Sequence, residues 1–286
     1  KQALYTIFQT ICNPGEQVII PVPCWVSFAE QVQLAGGKPV FVATTHHQLD
    51  VNAIAAAVTP KTKAILINSP NNPTGQVYSE ASMTALGDLL AQKSREFNRT
   101  IYLISDEPYR KIVYDGIVVP SIFTAYQNSI IGTSYSKDIS IPGERIGFIA
   151  VNPAATYREN LMAAMTVANR ILGYVNAPAL MQRIVACMQG LSVDISEYAR
   201  KRDLLCDGLA GFGYQFAKPL GTFYLFPRSP IPDDVEFVET LREEHILVVP
   251  GSGFNGPGYF RIAFCVDDEV IINSMPGFQK AIERYK

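Results

Sequence analysis

Three short polar segments, each directly after an apolar run, carry side chains that could do chemistry. Residues 134–138 read Ser-Tyr-Ser-Lys-Asp, residues 104–109 read Ile-Ser-Asp-Glu-Pro-Tyr, and residues 69–75 read Ser-Pro-Asn-Asn-Pro-Thr-Gly. A lysine is a nucleophile only when it is neutral, which requires a desolvated or cation-rich pocket. Lys137 on its own would be a solvated surface charge, so its chemistry depends on whether the acid Asp106 lies beside it.

The elements that must position these segments alternate along the first half of the chain. Six short β-branched runs are candidate strands, with helix-like stretches between several of them: 17–21, 39–42, 64–68, 101–105, 129–133 and 145–151. This alternation predicts an α/β fold with a mostly parallel sheet covered by helices. Ligands of such sheets bind at the carboxyl ends of the strands. Four polar or aromatic residues follow the candidate strands and are therefore expected to meet: Trp25, Asn72, Asp106 and Lys137.

The second half of the chain has a different pattern. Residues 157–212 have a helical pattern, interrupted near 190–192, and three β-rich runs and a helix-like tail follow. The change predicts two domains, a large one at residues 1–192 and a smaller α+β C-terminal domain at residues 193–286.

The charge balance argues against nucleic acid or membrane as the main partner. The 24 Lys and Arg residues against 26 Asp and Glu give a net charge of −2, whereas nucleic-acid-binding surfaces are strongly basic. No stretch approaches the roughly 20 apolar residues that a membrane-spanning helix needs. Charged residues make up only 17% of the chain, below the usual ~25%, which predicts that another subunit covers part of the surface.

The five cysteines are scattered and contain no Cys-x-x-Cys pair. This pattern predicts reduced, mostly buried thiols rather than disulfides or a zinc site, and favours a cytoplasmic protein. The chain begins at Lys1 without a signal-peptide pattern, and we expect that the native start precedes it.

A glycine-rich segment and the three histidines do not predict a functional site. Residues 251–256 match Gly-x-Gly-x-x-Gly, but Pro257 and Gly258 follow and then a β run, so a tight loop is predicted rather than a dinucleotide site. The three histidines, at positions 46, 47 and 245, form no pattern that favours a metal site or a Ser/His/Asp triad.

Taken together, the motifs resemble those of fold type I pyridoxal-phosphate-dependent aminotransferases, class I/II, the aspartate aminotransferase-like class. The resemblance covers essentially the whole chain. It rests on a set of residues in the family's order and spacing: Asn72-Pro73-Thr74-Gly75, Asp106, Tyr109, Ser134-x-Ser136-Lys137, Arg145 and Arg261. It implies the fold type I architecture, a mostly parallel sheet covered by helices and a smaller α+β C-terminal domain.

The resemblance also implies catalytic roles. Lys137 is expected to form the Schiff base with the cofactor aldehyde and later to shuttle a proton. Asp106 is expected to pair with the pyridine nitrogen, so that the ring withdraws electrons from the substrate. Tyr109 and Asn72 are expected to hydrogen-bond the phenolic oxygen of the ring, and Asn72 also the substrate carboxylate.

The remaining implied roles concern the ends of the ligands. Trp25 is expected to stack on the cofactor ring and border the substrate, and Arg261 to grip the substrate α-carboxylate. The cofactor phosphate is assigned to Ser134, Arg145 and, more weakly, Ser136. Lys1 lies at the end of the loop whose backbone amides complete the phosphate site.

The activity implied is an aminotransferase that moves an amino group between an amino acid and a 2-oxo acid, with aspartate or aromatic amino acids first, in a homodimer. One alternative is a pyridoxal-phosphate-dependent C–S β-lyase, which would release pyruvate and ammonia. Another is an aminotransferase-like sensing module of a transcription regulator, with a DNA-binding segment upstream. The family's N-terminal arm has no counterpart in the sequence, so the residues that select the substrate side chain stay unassigned.

Overall fold

The computed structural model describes residues 1–286 and begins with alternating helices and strands. In chain order these are α1 (Gln2–Ile11), β1 (Gln17–Val22), α2 (Ser27–Leu34), β2 (Lys38–Ala43), α3 (Val51–Ala57), β3 (Thr62–Asn68), α4 (Glu80–Glu96), β4 (Tyr102–Asp106), α5 (Ile122–Ala125), β5 (Ser129–Ser134) and β6 (Gly147–Val151). The remainder contains α6 (Arg158–Ile171), α7 (Ala179–Cys187), α8 (Ile195–Phe212), β7 (Tyr224–Leu225), α9 (Asp234–Glu243), β8 (Val249–Pro250), β9 (Phe260–Ala263) and α10 (Asp268–Glu283).

The first six strands form one sheet in the order β2-β1-β3-β4-β5-β6. All neighbouring pairs are parallel except β5 and β6, which are antiparallel. The predicted α/β class and mostly parallel sheet are therefore confirmed. Strand β6 begins two residues later than predicted, because Arg145 follows a short 3-10 turn and has a left-handed backbone with φ +52°.

Helices cover both faces of this sheet because the strands are apolar on both sides. Val18 and Ile20 of β1 pack into a core with residues of α1, α2 and α6. Ile19, which points to the opposite face, packs into a second core with residues of α3, α4 and α5.

The C-terminal part forms a separate antiparallel sheet in the order β7-β9-β8. Its core contains residues between 205 and 282 and also Tyr109, Ile112 and Tyr114 from the first part of the chain. The domain boundary after residue 192 stays a prediction.

Residues Gly251–Phe254 form a 3-10 turn that leads towards β9, so the glycine-rich motif opens no α-helix.

The thiols are less buried than predicted. Cys24 and Cys206 are buried and Cys12 is half-buried, but Cys187 and Cys265 are exposed. The expectation of mostly buried cysteines is wrong for these two. Residue type alone does not determine whether a side chain at the end of a helix or in a loop faces the core or water.

None of the helices combines the length and apolar character needed to cross a bilayer.

Two helical glycines provide a matched test of packing in this fold. A Cβ added at Gly87 in α4 would lie 2.1 Å from the Ala125 carbonyl oxygen, whereas one at Gly211 in α8 meets nothing within 4 Å. We expect Gly87→Ala to lower the free energy of unfolding by about 1–3 kcal/mol through overpacking. Gly211→Ala should leave it unchanged or raise it by up to about 1 kcal/mol through helix propensity. Urea unfolding measures both, and equal effects would contradict the α4–α5 packing.

Candidate active site

A cavity of about 1040 Å³ lies at the carboxyl ends of β3, β4 and β5. The ten residues predicted from the sequence to form a site are all among those that line it: Lys1, Trp25, Asn72, Asp106, Tyr109, Ser134, Ser136, Lys137, Arg145 and Arg261. The expectation that Trp25, Asn72, Asp106 and Lys137 meet is confirmed as a matter of position. The volume suits a cofactor together with a small substrate.

The strand register brings the polar segments together. Asn68 at the end of β3 pairs with Asp106 at the end of β4, and Asp106 pairs with Gly132 of β5. The Asn68 side chain donates to the Asp106 carbonyl oxygen (2.8 Å) and accepts from the Asn72 backbone N–H (2.7 Å). Asn68 was not predicted as a site residue, although a buried asparagine at the end of an apolar strand is a signal that could have revealed it.

Lys137 lies after β5 in a half-buried position beside two aromatic rings. Its Nζ is 5.2 Å from the ring centroid of Phe223 and 5.9 Å from that of Tyr109. Burial lowers the pKa of Lys137, and the charges of Arg261 and Arg145 lower it further, although Cys265 acts in the opposite direction. A larger fraction of this amine is therefore neutral and nucleophilic than in water.

Asp106 presents a carboxylate to the cavity without a hydrogen bond that would stabilise its charge. Burial raises the pKa of Asp106 to about 7; the charge of Glu107 acts in the same direction, whereas the α-amino group of Lys1 acts in the opposite direction. Glu107, by contrast, is paired with Arg110 at 3.1 Å. A carboxylate that lines a cavity and forms no ion pair with a side chain is the group expected where a protonated ring nitrogen binds.

Arg261 of β9 reaches the same cavity from the second sheet. Its Nη1 donates to Asn72 Oδ1 (3.0 Å), and its guanidinium carbon lies 4.3 Å from the Tyr224 ring centroid and 4.6 Å from that of Phe254. Its Nε is buried without a hydrogen-bond partner. An orphaned guanidinium donor in a cavity fits a site for a carboxylate.

Tyr109 lies between the two sheets. Its hydroxyl donates to the hydroxyl of Tyr224 at 3.2 Å, and burial raises the pKa of Tyr109 well above its usual value. The phenol is therefore protonated and able to donate a hydrogen bond at neutral pH. Tyr224 was not predicted from the sequence, since a tyrosine in an apolar strand is typical of an ordinary core residue.

The cavity lining also carries groups suited to a phosphate. The N-terminus of α1 opens there, with Lys1 at the N-cap, and helix N-termini bind anions through free N–H groups. The side chains of Ser134 and Ser136 lie nearby in the lining, and the exposed Arg145 donates to the Pro142 carbonyl oxygen. Two hydroxyls, a guanidinium and a helix N-terminus are the donor set that a phosphate group requires.

Trp25 is half-buried at the cavity wall. Its ring packs edge to face against Phe28, with 5.4 Å between centroids, and the Lys1 Nζ lies 5.1 Å from its centroid. Trp25 also lines the cavity, as stacking on a cofactor requires. Together, the lysine, the unpaired acid, the phosphate donors and the orphaned Arg261 Nε fit pyridoxal phosphate and an amino-acid carboxylate.

The unpaired Asp106 should make the cofactor-free protein less stable as the pH rises. An acid whose pKa is raised from its usual ~3.9 by folding opposes folding increasingly as the pH rises towards about 7. We expect Asp106→Asn to raise the free energy of unfolding by about 2 kcal/mol at pH 8 and to have almost no effect near pH 4. The measurement is denaturant unfolding of the cofactor-free protein at both pH values.

Asp115→Asn is the matched control with the opposite sign. Arg202 lowers the pKa of Asp115, so its charge favours folding at pH 8, and the variant should be less stable there. An Asp106→Asn variant that loses stability at pH 8 would contradict the unpaired state of the Asp106 carboxylate.

Comparison with known proteins gives a consistent family assignment. A family model described as aminotransferase class I and II matches residues 1–273. The chain is 34% identical to the probable aspartate/prephenate aminotransferase of Thermus aquaticus, over 99% of this chain and 74% of that protein. It is also 34% identical to the aromatic-amino-acid aminotransferase 2 of Thermococcus litoralis, over 97% of this chain and 72% of that protein.

A solved structure extends this likeness to the fold. The crystal structure of an amino transferase from Eubacterium rectale superposes with a TM-score of 0.97 at 41% identity, over 100% of this chain and 72% of that one. The resemblance inferred from the motifs is thereby confirmed. The chain belongs to the aminotransferase class I and II family, whose members are pyridoxal-phosphate-dependent enzymes.

Proposed function

We propose that this protein transfers the amino group of aspartate or an aromatic amino acid to a 2-oxo acid, with pyridoxal phosphate as its cofactor. The observation that carries the proposal is that Lys137 and Asp106 line one cavity at the carboxyl edge of the sheet. The choice of substrates is supported by the relatives, one an aspartate/prephenate and the other an aromatic-amino-acid aminotransferase.

Lys137 and Asp106 divide the chemistry at the reacting centre. When bound, pyridoxal phosphate supplies an aldehyde for an amino group and a ring that accepts the electrons released at the substrate α-carbon. Lys137 would hold the cofactor through that aldehyde, and its lowered pKa favours the neutral amine that can then take up and return the proton of the α-carbon. Asp106 would keep the ring nitrogen protonated.

Tyr109, Asn72 and Arg261 orient the ligands. Tyr109, protonated at neutral pH because its pKa is raised, would donate its single proton to the phenolic oxygen of the ring and then accept from the Tyr224 hydroxyl instead of donating to it. Arg261 would bind the substrate α-carboxylate through its free donors, with Asn72 beside it. Since Arg261 belongs to the second sheet and Asn72 to a loop of the first, carboxylate binding would strengthen the connection that their hydrogen bond already makes between the two parts of the chain.

The phosphate and the ring faces account for the other assigned residues. Ser134, Ser136, Arg145 and the α1 N-terminus at Lys1 would bind the phosphate, and this binding would fix the cofactor in register with Lys137. Trp25 would stack on the ring, which contributes about 0.5–1.5 kcal/mol and sets the ring plane.

A cytoplasmic location is supported by five cysteines without a disulfide.

The activity is tested by mixing the cofactor-loaded protein with a panel of amino acids. We expect aspartate or aromatic amino acids to remove the visible absorbance of the bound cofactor, and a 2-oxo acid to restore it. The readout is a spectrum together with analysis of the 2-oxo acid formed. Pyruvate and ammonia without any need for an acceptor would instead favour the β-lyase, and no response to any amino acid would favour the sensing module.

Lysine variants control this experiment. Lys137→Ala should lose both the response to amino acids and the cofactor that borohydride traps covalently, because no other lysine is assigned to the aldehyde. Lys280→Ala, whose side chain pairs with Glu244 on the surface and does not line the cavity, should behave as the wild type. Trapping of the cofactor on the Lys137→Ala protein would refute the assignment.

A homodimer is supported by the distribution of exposed apolar side chains. Ten of the nineteen exposed large hydrophobic residues lie between positions 148 and 191, around α6 and α7. Ile171 is 77% exposed and Leu180 68%. Monomeric proteins rarely expose such a concentration of apolar surface. The segment borders the cavity through Met162 and Met165, so a second copy seated there would lie next to the site.

Sedimentation should therefore show a dimer. We expect the double variant Ile171→Glu, Leu180→Glu to sediment as a monomer, because charges at both positions would have to be buried without partners. Val118→Glu is the control, since Val118 is 82% exposed but lies outside the segment. A wild-type monomer with full activity would overturn the proposal.

A further inference from the structure

Tyr224 contacts two residues of the candidate active site, Tyr109 and Arg261. It lies on β7, where it pairs with Ala263 of β9, and it is 8% exposed. Its side chain lines the cavity together with Tyr109 and Arg261. None of the roles assigned above involves it.

The ring of Tyr224 supports the guanidinium of Arg261. The guanidinium carbon is 4.3 Å from the Tyr224 ring centroid, and Phe254 lies on the guanidinium at 4.6 Å. A guanidinium held by two aromatic rings keeps its plane and its charge in one place. Only the edge that carries the donors remains free, with Nη1 directed to Asn72 and Nε without a partner.

The hydroxyl of Tyr224 fixes the ring from the other side. It accepts a hydrogen bond from the Tyr109 hydroxyl at 3.2 Å, and the two rings pack edge to face with 5.8 Å between centroids. Tyr109 is itself buried and lies near Lys137. The hydrogen bond therefore connects the Tyr224 ring, which packs on Arg261, to the part of the cavity that contains Lys137.

The backbone on which Tyr224 sits is equally constrained. The Leu220 and Gly221 N–H groups both donate to the Gly75 carbonyl oxygen at 2.9 Å, and the Tyr224 N–H donates to Thr222 Oγ1 at 3.0 Å. A Cβ at Gly75 would lie 2.9 Å from the Tyr224 carbonyl oxygen, so only glycine allows this approach. The Tyr224 ring therefore keeps a fixed position relative to the loop that carries Asn72.

We propose that Tyr224 is a positioning residue for carboxylate recognition: its ring holds the Arg261 guanidinium in the plane that a carboxylate requires, and its bond to Tyr109 fixes that ring. The inference rests on the proposed function, since it takes Arg261 as the carboxylate site. Tyr224 acts through Arg261, and its contribution should appear in the binding of the carboxylate rather than in the chemical step.

The test measures maleate, a dicarboxylate without an amino group, by calorimetry on the cofactor-loaded protein. We expect Tyr224→Leu, which removes ring and hydroxyl, to weaken maleate binding roughly tenfold. Tyr224→Phe, which keeps the ring, should weaken it by less than about threefold. Tyr259→Leu is the control, because Tyr259 is stacked on Phe226 and does not line the cavity.

Further measurements separate positioning from a structural role. For the amino acid that the wild type accepts, Tyr224→Leu should raise KM about tenfold with kcat changed less than about threefold. Its affinity for pyridoxal phosphate should stay within about twofold. In an Arg261→Lys background, Tyr224→Leu should change maleate binding less than twofold, since its effect passes through the guanidinium.

Three results would overturn the inference: unchanged maleate binding in Tyr224→Leu, a loss that persists in the Arg261→Lys background, or an equal loss in Tyr259→Leu. Binding of maleate, or a KM for the accepted amino acid, that Arg261→Lys leaves unchanged would remove Arg261 as a carboxylate site, and the inference with it. The aminotransferase proposal is judged separately by the amino-acid panel, so the two can fail independently.

Discussion

The main-chain hydrogen bonds that align the carboxyl ends of β3, β4 and β5 are the interactions on which the site depends. Asn68, Asp106 and Gly132 lie side by side in this register, although each pair is separated by a helix-containing crossover. Because the backbone fixes the alignment, the side chains at the rim do not have to stabilise it. A side chain such as that of Asp106 can therefore remain without a hydrogen-bond partner and be available to a ligand.

The contrast between neighbouring carboxylates illustrates this division. Asp106 presents its side chain to the cavity and forms no ion pair with a side chain, whereas Glu107 pairs with Arg110. Elsewhere in the fold, the buried Arg202 is bound by Asp115 and Asp203. Unfavourable burial of charge is thus concentrated at the cavity, and the apolar cores on both faces of the sheet offset it.

Most of this arrangement could be predicted because it depends on local pattern. Near-continuous apolar strands that each end in a polar segment indicate a parallel sheet and the edge at which ligands bind. The presence of Lys137 and Asp106 in one cavity followed from that topology, and the family motifs supplied roles. The late start of β6 escaped prediction, because nothing in the apolar run marks the left-handed backbone at Arg145. Cys187 and Cys265 escaped it because their exposure is decided by tertiary packing.

The sequence did not reveal the residues whose roles depend on contacts with side chains far away along the chain. Tyr224 and Phe254 have the side chains of ordinary core residues, and only the folded chain shows that both lie on the guanidinium of Arg261. The Arg261–Asn72 hydrogen bond likewise joins the second sheet to a loop of the first. By accepting from Nη1, Asn72 Oδ1 leaves the Nε of Arg261 as a free donor and its own Nδ2 unused, and a carboxylate can accept from both. The hydrogen bond between Arg261 and Asn72 therefore also constrains the donor geometry that a ligand meets.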